Sequence, residues 1–401
     1  MTIIRRLGVH LVAHPMTTMH PLVARVLAAL LLIPLSLLPS GPAPAAEAAR
    51  VPVRVMLPEM GNLQFLSFWV ARGAGYFAEE GLDMRLFVAP SPGAVAEAFI
   101  AEGTDVALLP PPGYGQLIER QQPVVVFANL LTNHPVNLIV HRDVVAARPG
   151  VASLPLAERL RRLQGIRIGV APGPLRNLQM LFASVGLNVN RDVEVVTLPG
   201  EEQNDAFGAR RVDALYTHTP YLEQALVRQG AQLLVNQSGG EVAEFTRLQI
   251  HSVVATRTFA AAQPGTLVAM ARAIHRAQLL LHADQKRAAD ALLGAGLPHL
   301  ERPLIETLLA VSARSVPMTP EVLPDGLRRA VTLFGGGRAT DLSAVNLGDY
   351  LAPEIAREAM VPRVRTRWTA MGGWSVLPLV LLAASGVALS VILGAAARRL
   401  P

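Results

Sequence analysis

Two tyrosines, a histidine and a threonine fall close together at Tyr216, His218, Thr219 and Tyr221, at and just beyond the end of the run Val212–Tyr216. Aromatic faces beside an imidazole that can both donate and accept suit a planar or partly apolar ligand. A second group, Asn62, Gln64 and Phe65, follows the apolar run 51–58, with Glu59 just ahead of it. Two carboxamides can bind a ligand from either side of a hydrogen bond, and Phe65 can stack on a ring. The same residues read equally well as a helix cap at Asn62 and a core phenylalanine. Pro110, Pro111, Pro112, Gly113 and Tyr114 come after another short apolar run, where prolines make a rigid wall and Gly113 permits close backbone approach. A stiff surface loop is the alternative there. Asn133 and His134 sit where the chain passes between two halves, a place that also suits a structural histidine. Finally, Pro172, Gly173 and Pro174 precede a helix whose first turn holds Arg176. A helix N-terminus favours an anion, and an anion would relieve the clash of Arg176 with the dipole. On a helical wheel Arg176 lies opposite the buried stripe, so a solvated face is the more ordinary reading.

None of these groups carries the marks of bond-making chemistry. The 401 residues include no cysteine, which removes a thiolate metal site, a disulfide framework and a thiol nucleophile. No Ser-His-Asp order, HExxH helix or phosphate loop stands out. No catalytic residue, metal or cofactor is therefore assigned.

The elements that must position these residues alternate in type. Apolar β-branched runs predict strands at 51–58, 84–89, 105–109, 123–130, 138–141, 166–170, 193–198, 212–216, 231–235 and 249–256. Between them lie helical segments at 63–80, 93–102, 116–122, 155–164, 175–185 and 205–211. Leu178, Leu181, Phe182 and Val185 give one of these a single buried stripe. A longer amphipathic helix follows at 266–283, and helical segments continue to about residue 360. Such alternation predicts an α/β protein with mainly parallel sheets. Its length suits two lobes better than one core.

The ends differ from this middle. Arg5, Arg6 and Arg25, the apolar run 26–38 and the small residues 42–46 predict a secretory signal peptide over 1–46. Translation from Met16 or Met19 would give it a more ordinary length, and Arg5-Arg6 leaves twin-arginine export open beside the general route. Residues 374–397 are uncharged and long enough to span a bilayer, with Trp368 and Trp374 as interfacial anchors and Arg398-Arg399 as the closing charges. Arg363, Arg365 and Arg367 in the stalk 361–373 oppose the positive-inside bias. With the ends set aside, residues 51–360 carry 27 basic and 29 acidic residues, so the chain's net +6 belongs to its flanks. Nucleic acid is not an expected partner.

Met56, Asn62, Phe68-Trp69, Ala71, Gly75-Tyr76-Phe77 and Glu80-Gly81-Leu82-Asp83 resemble the opening of the sulfonate-, nitrate- and thiamine-precursor-binding proteins, the NMT1/THI5-like (SsuA-like) group. Glu102-Gly103, Asp105-Val106-Ala107, Leu163, Gly165, Ile168-Gly169-Val170, Gly208, Asp213-Ala214, Pro220 and Pro264 continue the resemblance in order to about residue 290. It implies a type II periplasmic-binding-protein fold: two α/β lobes joined by two antiparallel hinge segments, with the ligand between them. Lobe 1 would comprise 51–137 and 249–360, and lobe 2 would comprise 138–248. It further implies a monomeric receptor of an ABC transporter, with permease and ATPase subunits as partners. The terminal segments would place it in the periplasm, on the outer face of the cytoplasmic membrane, tethered by the C-terminal helix. A ligand-sensing ectodomain working through a membrane partner is the alternative. An enzyme like the thiamine-pyrimidine-precursor synthases is a further one, but those depend on a cysteine-rich segment and iron.

Overall fold

A computed structural model describes residues 49–297, 300–335 and 342–362. The expected signal segment, all but two residues of the stalk, and the apolar run 374–397 lie outside the described residues. Among the described residues no helix is long and apolar enough to cross a membrane.

Among the described residues ten strands form two five-stranded sheets of the same plan. The first contains β1 (Val51–Leu57), β2 (Leu82–Val88), β3 (Val106–Leu109), β4 (Val124–Leu131) and β10 (His251–Thr256), in the order β2-β1-β3-β10-β4. The second contains β5 (Asn137–His141), β6 (Arg167–Val170), β7 (Glu194–Thr197), β8 (Ala214–Thr217) and β9 (Ala231–Val235), in the order β7-β6-β8-β5-β9. In each, three parallel strands meet one antiparallel strand that has just arrived from the other sheet: β10 in the first, β5 in the second. The sheets are thus more mixed than the alternation predicts, because the chain crosses over and returns.

The repeated aspartate motifs explain how each sheet is pinned. Asp105 accepts from the Arg54 backbone N–H at 2.8 Å and pairs with its guanidinium at 3.1 Å. Asp213 does the same to Arg167, at 3.0 and 2.9 Å. One carboxylate therefore ties the start of a parallel strand to its neighbour in both sheets. The Arg167 guanidinium in turn holds the Asp213 carboxyl below the usual carboxylate range.

The helix predicted over 63–80 is divided. A 3-10 turn at Leu63–Phe65 leads into the helix Leu66–Gly73, and a short turn Tyr76–Glu79 follows. Gly75 sits between them at φ 75°, a left-handed value that glycine adopts without strain. Gly73 lets the helix Gln285–Gly294 approach closely, since a Cβ there would lie 1.7 Å from the Ala291 carbonyl oxygen. The long helix Pro264–Ala283 covers the first sheet with a largely buried face, and its Arg272 pairs with Glu80 at 3.0 Å in a nearly buried bridge. The helix Arg302–Ser312 packs against both Gln285–Gly294 and Tyr221–Arg228, the latter covering the second sheet.

Candidate ligand-binding cleft

Two segments carry the chain between the sheets, 132–136 outward and 236–250 on return, the second passing through turns and a 3-10 helix at Ala243–Phe245. They run side by side. The Ile250 N–H donates to the Leu131 carbonyl at 2.8 Å, Leu248 to Thr132 at 2.9 Å, and His134 to Phe245 at 3.1 Å. Side chains reinforce the ladder: Asn133 Nδ2 donates to the Ser238 carbonyl at 3.0 Å, and Asn137 Nδ2 to Ser238 Oγ at 2.9 Å. Thr132 also donates to the Ser315 carbonyl at 2.7 Å, so a third stretch of chain braces the crossing.

A cleft of about 500 Å³ opens beside this crossing, beyond the C-terminal ends of β3, β6 and β8. That is where open α/β sheets place their ligands. Its lining divides by chemistry. Pyrrolidine rings from Pro110, Pro111, Pro112, Pro135, Pro172 and Pro174 form rigid apolar walls, joined by Phe334. Polar groups come from Gln64, Asn177 and three histidines, His134, His218 and His251, with Arg176 as the cation among the lining residues. No Asp or Glu is among them. The helix Leu175–Ala183 begins at the cleft, so its dipole adds positive potential there.

The three imidazoles are in different hydrogen-bonding states. His134 is saturated: Nδ1 donates to Gln237 Oε1 at 2.8 Å and Nε2 accepts from Asn177 Nδ2 at 2.9 Å. Burial drives its pKa down to about 4, against the opposing pull of the Gln237 bond. His218 donates from Nδ1 to the Thr219 carbonyl at 2.7 Å, leaving Nε2 as an acceptor, and burial lowers its pKa as well. His251 is different. Its ring is 3% exposed and packs edge-on to Phe65 at 4.6 Å, yet buried Nδ1 has no hydrogen-bond partner. Burial, then repulsion from His134 and His218, lowers its pKa to about 3. At neutral pH all three rings are uncharged, and His251 holds unmet hydrogen-bonding capacity at the cleft floor. Among the described residues no cluster of three His, Cys, Asp or Glu is placed to hold a metal ion.

Of the residues proposed from sequence, Gln64, Gly173, Arg176, His218 and the prolines at 110–112, 172 and 174 line this cleft. Seven others stand elsewhere, each for a local reason. Asn62 caps the 3-10 turn, its Oδ1 accepting from the Gln64 N–H at 3.0 Å. Phe65 lies one layer down in the core at 1% exposure, buttressing His251. Gly113 and Tyr114 are inside a helix, because Pro111 opens Pro111–Glu119 at a position where its missing N–H costs nothing. The Tyr114 hydroxyl is buried and donates to the Gln249 carbonyl. Asn133 is spent on the crossing, as described. Thr219 supplies its carbonyl to His218 and is itself buried. Tyr221 begins the next helix, which turns its ring onto Gly200, where a Cβ would come within 2.8 Å of it. His251 and Phe334 also line the cleft without a sequence signal that marks them, and His134 enters it from the crossing. The three histidines are far apart in sequence, and only the paired crossing brings them together.

The fold is shared with proteins of known structure. The periplasmic nitrate-binding protein NrtA from Synechocystis PCC 6803 superposes at TM-score 0.55 and 13% identity, over 77% of this chain and 88% of its own. A periplasmic sulfonate-binding protein, SsuA from Methylobacillus flagellatus KT, does so at TM-score 0.54 and 15% identity, over 78% and 94%. The desulfurization enzyme DszB gives TM-score 0.53 and 13% identity over 77% and 99%, so this fold houses catalysis too. No curated protein matches the chain. The model of the NMT1-like family matches residues 60–293, more than half of the sequence, and the chain belongs to that family.

Proposed function

We propose that this chain is an extracytoplasmic solute-binding receptor that closes two lobes, 51–137 with 249–360 and 138–248, on a small molecule and presents it to an ABC permease. One observation carries the reading: a histidine-floored cleft of about 500 Å³, bounded by strand ends of both sheets, beside a two-segment crossing. The likeness to nitrate- and sulfonate-binding proteins points the same way. Among the lining residues no serine, threonine, cysteine, lysine or carboxylate stands beside the three imidazoles for them to activate, which favours capture over reaction. Proline walls, neutral imidazoles, Arg176 and the absence of lining carboxylates favour a small organic ligand with a planar or apolar part and at most one acidic group.

The test is native mass spectrometry of the purified chain for a co-purified small molecule, followed by thermal unfolding with that molecule added back. A clamp that binds only in the folded state gains about 2.7 kcal/mol at a ligand concentration of a hundred times Kd. Turnover of the molecule into a product would replace the receptor reading with an enzymatic one.

Residues 1–46 serve, on this reading, as the export signal, and 374–397 hold the receptor at the outer face of the cytoplasmic membrane. The full chain should then stay with membranes through an alkaline carbonate wash, while a chain ending at residue 362 is released. Recovery of the full chain in the wash would remove the tether.

A further inference from the structure

The polar groups of the cleft differ in how far the chain has already decided their hydrogen bonding. Gln64 presents an amide that both donates and accepts, so a turn of its side chain suits either kind of ligand group. His251 has its Nδ1 unpartnered, so no hydrogen bond there fixes which ring nitrogen carries the proton. His218 is fixed. Its Nδ1 lies 2.7 Å from the Thr219 carbonyl oxygen. A carbonyl only accepts, so Nδ1 holds the proton and Nε2 of the neutral ring is a lone pair. Burial keeps the ring neutral, outweighing the Thr219 bond and the pull of the Glu59 carboxylate, which both favour the charged form. The ring lines the cleft and keeps part of its surface open. With Nδ1 turned back onto the chain, Nε2 is the polar atom it offers, and among the described residues nothing donates to it.

A fixed acceptor selects a donor. A ligand oxyanion or carbonyl placed on Nε2 would set lone pair against lone pair. An ammonium would donate, but the lining holds Arg176 and no carboxylate to balance the added charge. An amide N–H would bring a carbonyl that the proline walls leave unpaired. A hydroxyl on a ring brings neither fault. Building on the receptor reading of this cleft, we propose that His218 sets its specificity: the ligand is a hydroxylated ring acid whose hydroxyl donates to His218 Nε2, whose ring lies against the prolines, and whose acid group is balanced by Arg176.

The probes are para-hydroxybenzoate and para-methylbenzoate, which differ only in a methyl where the hydroxyl stands. Each is titrated calorimetrically into the full chain in detergent after exhaustive dialysis. The hydroxy acid should bind about ten-fold tighter, the scale of leaving one buried acceptor unpaired, although the methyl compound is the more hydrophobic. His218→Phe keeps a ring there and removes the lone pair, and should bring the ratio of the two affinities close to one. Structural damage would weaken both probes together and leave that ratio alone. Should His218→Phe fail to fold, two-bond proton–nitrogen spectra of the native chain, labelled at histidine, replace it. The His218 Nε2 resonance should then shift with para-hydroxybenzoate and stay in place with para-methylbenzoate.

No binding of para-hydroxybenzoate to the native chain overturns the proposal. So does equal binding of the two probes, a ratio that survives His218→Phe, or an Nε2 resonance that the hydroxy acid does not move. A co-purified small molecule without a hydroxyl would keep the receptor function and overturn the His218 assignment alone.

Discussion

Acidifying the chain from pH 6.5 to about 4 should destabilise it by about 3 kcal/mol for each of the two most deeply perturbed imidazoles, His134 and His251. The unfolded chain takes up a proton on each histidine near pH 6.5. The folded chain resists until about 4 at His134 and about 3 at His251, because burial penalises the charged ring. Below pH 6.5 the unfolded state thus binds more protons, and stability falls with pH. Well above 6.5 neither state is protonated and the effect vanishes. Glu223 works in the opposite sense. Its carboxyl, raised to about 7 by burial, penalises the folded state as pH climbs through the interval from about 4.5 to 7. It therefore softens the acid loss. Urea unfolding at pH 7, 6, 5 and 4.5 measures the balance. His251→Phe should flatten the acid slope, and Glu223→Gln should steepen it. An acid slope that His251→Phe leaves unchanged would show that the ring is hydrated and charged in the native chain.

The histidines also show where sequence reading reaches its limit. Strands came through well, since β-branched runs such as Val124–Leu131 and His251–Thr256 are buried and carry their own signal. The motifs around Asp105 and Asp213 could be recognised, and their geometry explains their recurrence as strand pins. The helix start at Pro111 was harder. Three successive prolines read as a wall, yet one of them opens a helix that draws Gly113 and Tyr114 away from the cleft. His134 and His251 are 117 positions apart, and nothing in the short-range sequence around either one points to the other. Their proximity depends on the antiparallel crossing of two segments, a long-range fact that no local pattern encodes. Tyr221 illustrates the converse. Its place just after a strand end aims it at the ligand by sequence, but the helix that begins there rotates the ring onto Gly200.

Gly173→Trp should abolish binding of the co-purifying ligand, by at least a hundred-fold, and leave thermal stability nearly unchanged. Gly173 lines the cleft, and a Cβ built on it meets nothing within 4 Å. Its backbone lies outside the positive-φ region, so a side chain can be added there without strain. An indole at this position would occupy space between Pro172 and Pro174 that the ligand needs, without disturbing packing beneath it. Tyr221→Ala, by comparison, should alter affinity less than three-fold, because its ring lies against Gly200 and reaches the cleft only through an edge contact of 5.8 Å with His218. Calorimetry with the ligand identified by mass spectrometry compares the two directly. Loss of binding in Tyr221→Ala together with full affinity in Gly173→Trp would move the ligand out of the histidine-floored cleft and onto the surface around Glu59, Gly200 and Tyr221.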